Sequence, residues 1–554
     1  MKPRHLPLFA TLGLLTSTAL AAPATFDWFE YRGTGDWFAP DVPEGHYQNP
    51  ILAGFYPDPS ITRVGDDYYL VNSTFCYFPG LPIFHSKDLV HWRQIGYALD
   101  RPDMLDFNGL RISRGIFAPA ISYHDGLFYI ITTAVDSGGN FIITAKDPAG
   151  PWSDPHYLDF GGIDPSLFFD DDGRAWVVNN DIPPNNEPLY DGHRAIWVQE
   201  YDLEQQAMVG PRKMIVNGGI DLSQQPVWIE GPHIFKKDGW YYLTCAEGGT
   251  SVNHSQVILR SRDIFGPWKP AERNPILTQR DLSPDRPHPI TSAGHADLVE
   301  LPDGSWWATF LACRPYEDDL YNTGRETFLL PVTWEDGWPM ILPEGEPIPR
   351  TPERPNLQTG GVEPNVPLNG NFTWRDDFEG PELGLPWNML RNPQRRWWHL
   401  NPEAGTLSLE PQAIGLDTLQ NPSFLGRRQQ HLSFEASTSL ELPPKGTEAG
   451  MVAFQNAKHH FFLGVNSHDD GGATVFLERA NGEAPAVVVS RELETVQGNQ
   501  LDLQIRAENR TYTFAYRTDG GEWQDLSRED GALLSTHEAG GFVGAYLGLF
   551  ARDE

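Results

Sequence analysis

Short apolar runs alternate with turns along most of the chain, and five of these turns begin with Asp, which is followed by Gly in four of them. They lie at Asp66-Asp67, Asp125-Gly126, Asp172-Gly173, Asp238-Gly239 and Asp303-Gly304. An Asp-Gly turn between apolar runs is a strong β-hairpin signal, because both turn residues readily adopt positive φ. The pattern therefore predicts five similar hairpin units.

A chemically distinctive residue precedes each turn at the same spacing. Counting back nine positions from the second turn residue gives Asp58, Phe117, Asp164, Glu230 and His295. Hairpin repeats with periods of roughly 40 to 65 residues predict a propeller or another closed array, whose central channel is lined by the strand that opens each unit. Asp58 and Asp164 precede proline and also suit turn or cap positions, but three carboxylates in one register favour a shared cavity.

From residue 372 onward, short segments with alternating apolar and polar residues are separated by Gly, Asn or Asp. They are TLSLEP, FEASTSLEL, GMVAFQN, HHFFLGV, ATVFLER, AVVVSREL, LDLQIRAE and YTFAYRT. Such alternation predicts an antiparallel β-sandwich. Helical periodicity is weak throughout, so the whole chain is predicted to be nearly all-β.

The remaining segments are assigned from composition. Residues 1–21 have a basic start, an apolar run and the small-x-small sequence Ala19-Leu20-Ala21, which is typical of a secretory signal peptide. Residues 22–45 contain an aromatic strand and an arm. Residues 46–350 carry the hairpin repeats. Residues 351–371 are rich in Pro, Gly and Asn and are predicted to be a linker crossing the surface. We expect the protein to be exported, either to a periplasm or out of the cell.

Composition narrows the functional class. A chain of 554 residues with 40% hydrophobic residues and 18 Trp is expected to fold into two or three domains with aromatic-rich cores or sugar-stacking surfaces. The net charge of −33 disfavours nucleic acid and anionic membrane surfaces as partners. The three cysteines exclude a disulfide scaffold and are expected to be free thiols, and no Cys/His cluster has zinc spacing. The oligomeric state stays open, with a homo-oligomer among the alternatives.

The ring residues lie in long segments that resemble glycoside hydrolase family 43, and more closely its β-xylosidases with a C-terminal β-sandwich. The segments are GFYPDPSI around Asp58, GGIDPSLFFDDDG around Asp164, IEGPHIFKKDGWYYL around Glu230, AGHADLVELPDG around His295 and GRETFLLPVTWEDGWP around Arg325. The resemblance extends over essentially the whole mature chain. It implies a five-bladed β-propeller followed by a C-terminal jelly-roll or concanavalin-like β-sandwich, and hydrolysis with inversion at the anomeric carbon.

By motif match, Asp58 is the general base, Glu230 the general acid, and Asp164 the residue that tunes the acid and orients substrate. Inverting hydrolysis needs two carboxyl groups roughly 6.5–9.5 Å apart, so that water fits between one of them and the sugar. Asp58 and Glu230 belong to the first and fourth hairpins and are expected to face each other across the ring. The nearby charge of Asp164 is expected to raise the pKa of Glu230.

Five further residues are expected to bind substrate. Arg325 is expected to contact sugar hydroxyls and to keep Asp58 ionised, with a purely structural ion pair as the alternative. His295 is expected to orient a hydroxyl or a carboxylate, and the alternative is a channel residue without catalytic duty. By the resemblance, Phe75 and Phe117 are aromatic walls of the sugar site, and Phe542 is the sandwich residue that closes the pocket.

The two ends of the chain are predicted to meet. The family's sandwich usually finishes with a strand resembling ADFDWFEY, whereas residues 24–31 of this chain read ATFDWFEY and the chain stops at Glu554. We therefore expect the N-terminal strand to fill the last position of the sandwich, where it would give a sheet edge its partner. An independent N-terminal arm is the alternative.

The leading functional hypothesis is an exo-acting β-D-xylosidase on xylo-oligosaccharides. An α-L-arabinofuranosidase, or an enzyme with both activities, is the alternative, because the two sugars present similar stereochemistry around the ring. A non-catalytic glycan-binding propeller and a retaining hydrolase are weaker candidates. No cofactor is expected to be required. By the resemblance, Ca²⁺ in the channel near His295 is left open, although no EF-hand-like ligand run is present.

Overall fold

The computed structural model describes residues 22–38, 41–358 and 360–554, and these are built almost entirely from β-strands. The predicted signal peptide, residues 1–21, lies outside the described residues. Within the described ranges, no helix is long and apolar enough to cross a membrane. The N-terminal strand β1 (Ala24–Thr34) belongs to the C-terminal sandwich and is considered with it below.

Residues 60–340 form five antiparallel sheets. The first sheet is β2 (Ser60–Val64), β3 (Asp67–Val71), β5 (Gly80–Ser86) and β6 (Arg93–Leu99). The short strand β4 (Tyr77–Phe78), between β3 and β5, pairs with Met389–Leu390 of the C-terminal region. The second sheet is β7 (Gly115–Ile116), β8 (Ala120–His124), β9 (Leu127–Val135), β10 (Gly139–Ala145) and β11 (His156–Tyr157). The third sheet is β12 (Ile163–Phe169), β13 (Ala175–Asp181), β14 (Ala195–Asp202) and β15 (Ala207–Asn217).

The last two sheets of this region follow directly. The fourth sheet is β16 (Glu230–Lys237), β17 (Trp240–Glu247), β18 (Ser255–Ser261), β19 (Lys269–Pro270) and β20 (Leu277–Thr278). The fifth is β21 (Thr291–Glu300), β22 (Trp306–Cys313), β23 (Glu326–Glu335) and β24 (Trp338–Met340). The innermost strands pack in the cyclic order β2, β8, β12, β16 and β21, and β21 packs against β2 again. The predicted propeller is confirmed, and its inner strands surround one channel.

The hairpin turns are less uniform than predicted. Asp125-Gly126 and Asp238-Gly239 form two-residue turns with positive φ at both positions. The prediction for the first hairpin was wrong by one residue, because the turn is Gly65-Asp66 and the next residue already pairs in β3. Residues 170–174 and 301–305 form longer loops. In both loops the turn aspartate accepts a hydrogen bond from the backbone N–H two residues later, an Asx turn that delays the next strand.

The C-terminal region is a sandwich of two antiparallel sheets, as predicted. Its elements along the chain are β25 (Phe372–Asp376), β26 (Met389–Leu390), β27 (Trp398–Asn401), β28 (Thr406–Leu409), β29 (Ser423–Arg428), β30 (Ser433–Glu441), β31 (Thr447–Asn456), β32 (His459–Ser467), β33 (Ala473–Asn481), β34 (Ala486–Leu493), β35 (Gln500–Glu508), β36 (Thr511–Thr518), β37 (Gln524–Asp530), the one-turn helix α1 (Thr536–Ala539) and β38 (Tyr546–Asp553). Short 3-10 turns occur at Pro184–Asn186, Leu222–Gln224, Gln497–Asn499 and Gly531–Leu534. One sheet has the order β27-β28-β1-β30-β35-β36-β37, with β25 also paired to β1, and the other has the order β29-β38-β31-β32-β33-β34.

The N-terminal strand is an interior member of the larger sheet. It pairs with β30 along one side and with β25 and β28 along the other. Phe26, Phe29 and Tyr31 point into the sandwich core and are fully buried. The Tyr31 hydroxyl accepts hydrogen bonds from the backbone N–H groups of Gln430 and His431 at 3.2 and 3.1 Å. The N-terminal strand joins the sandwich as predicted, but it lies in the interior of the sheet, not at an edge, and contributes side chains to the core.

Residues 351–358 and 360–371 lie against the propeller and are hydrogen-bonded to it. Arg354 Nη2 donates to Asp88 Oδ2 at 2.9 Å, and Asn365 Nδ2 donates to a backbone carbonyl of β6 at 2.8 Å. The Leu368 carbonyl accepts from the backbone N–H of Ala53 at 2.7 Å. This connection leaves the two domains little freedom to move apart.

One apolar core runs from the first two sheets of the propeller into the smaller sheet of the sandwich. At the boundary, the rings of Tyr77 and Tyr546 stack with centroids 3.9 Å apart. The three cysteines are buried free thiols, as predicted, at Cys76, Cys245 and Cys313. Because the domains share a core, a sandwich loop can be held against the propeller channel.

Candidate active site

One cavity of about 370 Å³ opens at the channel of the propeller. All eight side chains that the sequence analysis singled out line it, namely Asp58, Phe75, Phe117, Asp164, Glu230, His295, Arg325 and Phe542. The volume lies near the lower limit of typical small-molecule sites, which span about 300–1,000 Å³. The cavity therefore suits a short ligand and has no room for a long polymer segment.

Local backbone distortions aim the polar side chains into this cavity. Asp58, Asp164 and His295 have φ of +50°, +52° and +52°, a left-handed conformation that non-glycine residues rarely adopt. Strand pairing is irregular around Asp164, just after Glu230 and on both sides of Gly294. Such β-bulges redirect a side chain at the end of a sheet, and strained residues of this kind concentrate at functional sites.

Asp58 is held by two hydrogen bonds. Its Oδ2 accepts from Ser73 Oγ at 2.6 Å, and its Oδ1 accepts from Arg325 Nη1 at 2.8 Å. Arg325 Nη1 also donates to Thr250 Oγ1 at 3.1 Å. Asp58 and Arg325 are only 4% and 6% exposed, so their attraction is weakly screened by solvent. The guanidinium thus stabilises the charged form of this carboxylate.

The surroundings of Glu230 and Asp164 favour the protonated form of both carboxyl groups. Burial raises the pKa of Glu230 well above its usual range, and the negative charges of Asp164 and Asp58 raise it further. The pKa of Asp164 is also raised, by burial and by Asp58, although the Gly231 N–H donates to its Oδ2 at 3.2 Å. Asp164 was predicted to raise the pKa of Glu230, and it does so, but burial contributes more.

His295 lies beside Asp58. Its Nδ1 is 3.8 Å from Asp58 Oδ1, which is too long for a hydrogen bond. Burial lowers the pKa of His295 to about 4, so the ring is neutral near pH 7. A neutral imidazole offers one donor and one acceptor, which matches the needs of a sugar hydroxyl.

The surroundings of His295 do not fit a calcium ion. Calcium takes six to eight oxygen ligands, whereas the nearest carboxylate, that of Asp58, is already bound to Arg325 and Ser73. In the part of the chain that the structure describes, no group of three or more His, Cys, Asp or Glu side chains has the arrangement of a metal site.

Three phenylalanines form an apolar wall. Phe75 contacts Phe117 edge-on at 5.0 Å and stacks on Phe542 with centroids 5.8 Å apart. Phe542 comes from the sandwich, and its backbone N–H donates to Ser113 Oγ at 2.9 Å in the propeller. The glycine before it, Gly541, has a φ of +83° and a Cβ there would meet Ser113 at 2.4 Å, so a larger residue would disturb this approach. The sandwich thus closes one side of the cavity.

Several lining residues were not predicted. Among them are Thr250, which binds Arg325, and Trp228, which precedes Glu230 by two positions. The guanidinium of Arg194 lies 3.9 Å from the centre of the Trp228 ring and covers one of its faces. Trp228 could have been singled out from the sequence, because this aromatic residue directly precedes the segment IEGPHIFKKDGWYYL that contains Glu230. Thr250 lies in a loop outside the repeat register and gave no such signal.

The sequence matches two family models. The first, Glycosyl hydrolases family 43, matches residues 47–339, which contain the five sheets and seven of the eight predicted site residues. The second, Beta xylosidase C-terminal Concanavalin A-like domain, matches residues 375–554, which contain Phe542. The family models thus separate the chain into the same two folded regions.

Similar proteins cover nearly the whole chain. A xylosidase/arabinosidase of Butyrivibrio fibrisolvens is 42% identical over 520 residues, covering 91% of this chain and 95% of its own length. The non-reducing end α-L-arabinofuranosidase BoGH43B of Bacteroides ovatus is 39% identical, covering 91% of both chains. The crystal structure of a xylan β-1,4-xylosidase from Bacillus halodurans C-125 superposes with a TM-score of 0.82 at 36% identity, covering 92% of this chain and 97% of its own.

Proposed function

Since the chain belongs to glycosyl hydrolase family 43, we propose that this glycosidase is an exo-acting, inverting β-D-xylosidase that releases D-xylose from xylo-oligosaccharides. The observation that carries the proposal is the convergence of two differently tuned carboxyl groups on one small cavity. Asp58 is paired with Arg325, which favours its charged form. Glu230 has a raised pKa, which favours its protonated form.

These protonation states match the two roles of inverting hydrolysis. The charged Asp58 accepts a proton from water while the water oxygen bonds to the anomeric carbon. Glu230 gives its proton to the glycosidic oxygen as the bond between that oxygen and the anomeric carbon breaks. The products are a xylose of inverted configuration and a shortened chain with a new hydroxyl. Glu230 ends as the carboxylate and Asp58 as the acid, and proton exchange with solvent restores both.

The position of the strands supports this division of roles. Asp58 directly precedes β2 and Glu230 opens β16, and these two strands are not neighbours in the ring. Asp164 lies at the start of the third sheet, next to that of Glu230, and its negative charge raises the pKa of Glu230 more than that of Asp58 does. Substrate bound between Asp58 and Glu230 would meet the base from one side and the acid from the other.

The shape of the cavity supports exo-cleavage. The three-phenylalanine wall of Phe75, Phe117 and Phe542 closes one side, so a sugar ring at this point is the end of its chain. Trp228 and Arg194 lie on the side of the acid, where Glu230 protonates the leaving oxygen. The exposed face of the Trp228 ring suits stacking against the sugar that leaves.

The test is the stereochemistry of the first product. Hydrolysis of 4-nitrophenyl β-D-xyloside followed by proton NMR should first give α-xylose, and initial release of β-xylose would exclude an inverting mechanism. Asp58→Asn and Glu230→Gln should each abolish release of xylose while the chain stays folded by circular dichroism. Full hydrolysis by either variant would overturn the assignment of the base or the acid.

A second candidate is α-L-arabinofuranosidase activity, alone or together with the first. It is favoured by two similar proteins, one named for both activities and one for the arabinofuranosidase. Comparing kcat/KM on the 4-nitrophenyl glycosides of β-D-xylopyranose and α-L-arabinofuranose separates the two. A clearly higher value for the arabinofuranoside would make the arabinofuranosidase the main activity.

We also propose that the protein is exported. The support is the sequence of residues 1–21, which has a basic start, then an apolar run, and ends with Ala19-Leu20-Ala21 at the expected cleavage site. N-terminal sequencing of the protein recovered from the native host tests this. A mature chain that begins near Ala22 supports export, and an intact Met1 contradicts it.

A further inference from the structure

Ser73 lies directly opposite Asp58 in the first hairpin. In this hairpin Ser60 pairs with Val71, and the same register carried two residues further brings residue 73 opposite residue 58. Ser73 is fully buried, and its hydroxyl donates to Oδ2 of Asp58 at 2.6 Å. A hydrogen bond of this length from a hydroxyl to a carboxylate is charge-assisted and strong. The hairpin register therefore supplies Asp58 with a donor.

The backbone that carries Asp58 is held by the same end of the second strand. Asn72 is fully buried, and its Nδ2 donates to the carbonyls of Tyr56 and Pro57 at 3.0 Å each. The backbone N–H of Ser73 donates to the Pro57 carbonyl at 3.2 Å. Asp58 has a strained φ of +50°, which persists only where the surroundings hold it. Asn72 and Ser73 thus fix the main chain before Asp58 as well as its carboxylate.

The position opposite Glu230 carries a different side chain. In the fourth hairpin Glu230 pairs with Ala246, which is fully buried. A methyl group cannot donate a hydrogen bond, and no hydrogen bond to the Glu230 carboxyl occurs among the residues that the structure describes. The charged form of Glu230 therefore gains no donor that would offset its burial. Corresponding positions of two hairpins offer a hydroxyl to one carboxyl group and a methyl group to the other.

From these contacts we propose that Ser73 is a positioning residue for the general base. Its hydroxyl orients the Asp58 carboxylate and stabilises its charged form, whereas Ala246 at the corresponding position leaves Glu230 able to keep its proton. Ser73 does not line the cavity, so it acts on the reaction through Asp58. The inference rests on the proposed function, in which Asp58 is the base and Glu230 the acid.

The other groups that act on Asp58 are unaffected by a change at Ser73. The charged or titratable side chains around this carboxylate are Arg325, His295, His254, Asp164 and Glu230. Ser73→Ala removes none of them and introduces no charge. A change in the pH profile of this variant would therefore report the lost hydrogen bond.

Ser73→Ala should shift one limb of the pH profile. The kcat/KM on 4-nitrophenyl β-D-xyloside falls at low pH as the base becomes protonated. Without the Ser73 donor the charged form of Asp58 is less stable, so the acidic limb should move to higher pH by roughly one unit, while the alkaline limb stays in place. Between the limbs, kcat/KM should fall about 10-fold, because the carboxylate is less well oriented.

Ser60→Ala is the matched control. Ser60 is also buried in the first hairpin, and its hydroxyl donates to Oδ2 of the buried Asp297 at 2.8 Å. Asp297 does not line the cavity. Ser60→Ala should therefore lower Tm, as Ser73→Ala does, but leave both limbs of the pH profile in place. An acidic limb that stays in place in Ser73→Ala, or moves equally in Ser60→Ala, would overturn the proposal.

The outcomes separate this inference from the proposed function. Full hydrolysis by Asp58→Asn would refute the base itself, whereas an inactive Asp58→Asn with an unmoved acidic limb in Ser73→Ala would refute the role of Ser73 alone. Should Ser73→Ala fail to fold, neutron diffraction from crystals of the unmodified chain in D₂O decides. A Ser73 deuteron directed at Oδ2 of Asp58 supports the proposal, and a deuteron directed elsewhere overturns it.

Discussion

Arg325 and Asp58 form a buried ion pair between residues 267 positions apart, with Nη1 of Arg325 2.8 Å from Oδ1 of Asp58. Asp58 lies just before the first sheet and Arg325 just before β23 of the fifth. The pair therefore exists only when the ring of sheets has closed. The completed fold thus gives the proposed base its positively charged partner.

Replacing Arg325 should impair catalysis more than a surface arginine does. In Arg325→Met the base loses its counter-charge and Thr250 loses its partner, so kcat/KM on 4-nitrophenyl β-D-xyloside should fall at least about 100-fold. Arg325→Lys should recover only part of this loss, because an ammonium group does not reproduce the planar guanidinium. The control Arg174→Met removes an exposed ion pair with Asp172 and should leave kcat/KM unchanged. Equal activity of Arg325→Met and Arg174→Met would contradict the role of the pair.

The alkaline limit of activity should depend on Asp164. Glu230 must be protonated to act as the acid, so activity is lost as pH rises through its raised pKa. Asp164→Asn removes a negative charge that raises this pKa, and the alkaline limb of kcat/KM should therefore move to lower pH. The measurement is a pH profile of both proteins on one substrate. An alkaline limb that stays in place would show that Asp164 does not tune the acid.

Two neutral substitutions in the cavity should change stability in opposite directions. The pKa of Glu230 is higher in the folded chain than in the unfolded chain, so this residue destabilises the fold as pH rises beyond the unfolded pKa. Glu230→Gln removes that cost and should therefore stabilise the chain near pH 7 by about 0.5–2 kcal/mol. Asp58→Asn instead leaves Arg325 without its partner and should destabilise by about 3–5 kcal/mol.

Thermal unfolding at pH 7 and pH 4 checks both signs. The advantage of Glu230→Gln should shrink toward pH 4, where the unfolded glutamate is also protonated. A lower Tm for Glu230→Gln at pH 7 would mean that the acid is not destabilising in the folded chain.

Truncating Phe542 should weaken substrate binding while leaving the fold intact. Phe542→Ala removes the side chain that stacks on Phe75, so KM for xylobiose should rise several-fold and kcat/KM should fall by about 10-fold. Phe542→Leu keeps part of the apolar wall and should show a smaller loss. The experiment compares steady-state kinetics of both variants, with Tm as the check on folding. Unchanged kinetics in Phe542→Ala would place this residue outside the substrate site.

The N-terminal strand should contribute measurable stability through one hydroxyl. Tyr31→Phe leaves the buried N–H groups of Gln430 and His431 without their acceptor, which should cost about 1–3 kcal/mol. Tyr516→Phe is the control, since that hydroxyl has one partner, Gln524, on a half-buried face of the same sheet. Urea unfolding of the two variants measures the difference. A larger loss in Tyr516→Phe would contradict this account of the strand.

Much of the propeller was predictable because its signal is local and repeated. Turn residues identify the hairpins in the sequence. A constant spacing back from each turn then located Asp58, Asp164, Glu230 and His295, four polar side chains that line one cavity. The exact turns were not predictable, because an Asp side chain can cap a longer loop as readily as it enters a two-residue turn. Arg325 and Phe542 came from a family resemblance, since neither lies in the repeat.

Sequence alone determined the strand pattern, the two folded regions and the identity of the ring residues, because hydrophobic period and turn chemistry act over a few residues. Tertiary structure alone decided which side chains face each other. The contact of Trp228 with Arg194 and the stacking of Phe542 on Phe75 both join separate elements. Such contacts, and the pKa shifts that follow from burial, depend on how sheets pack in three dimensions, and no local pattern encodes them.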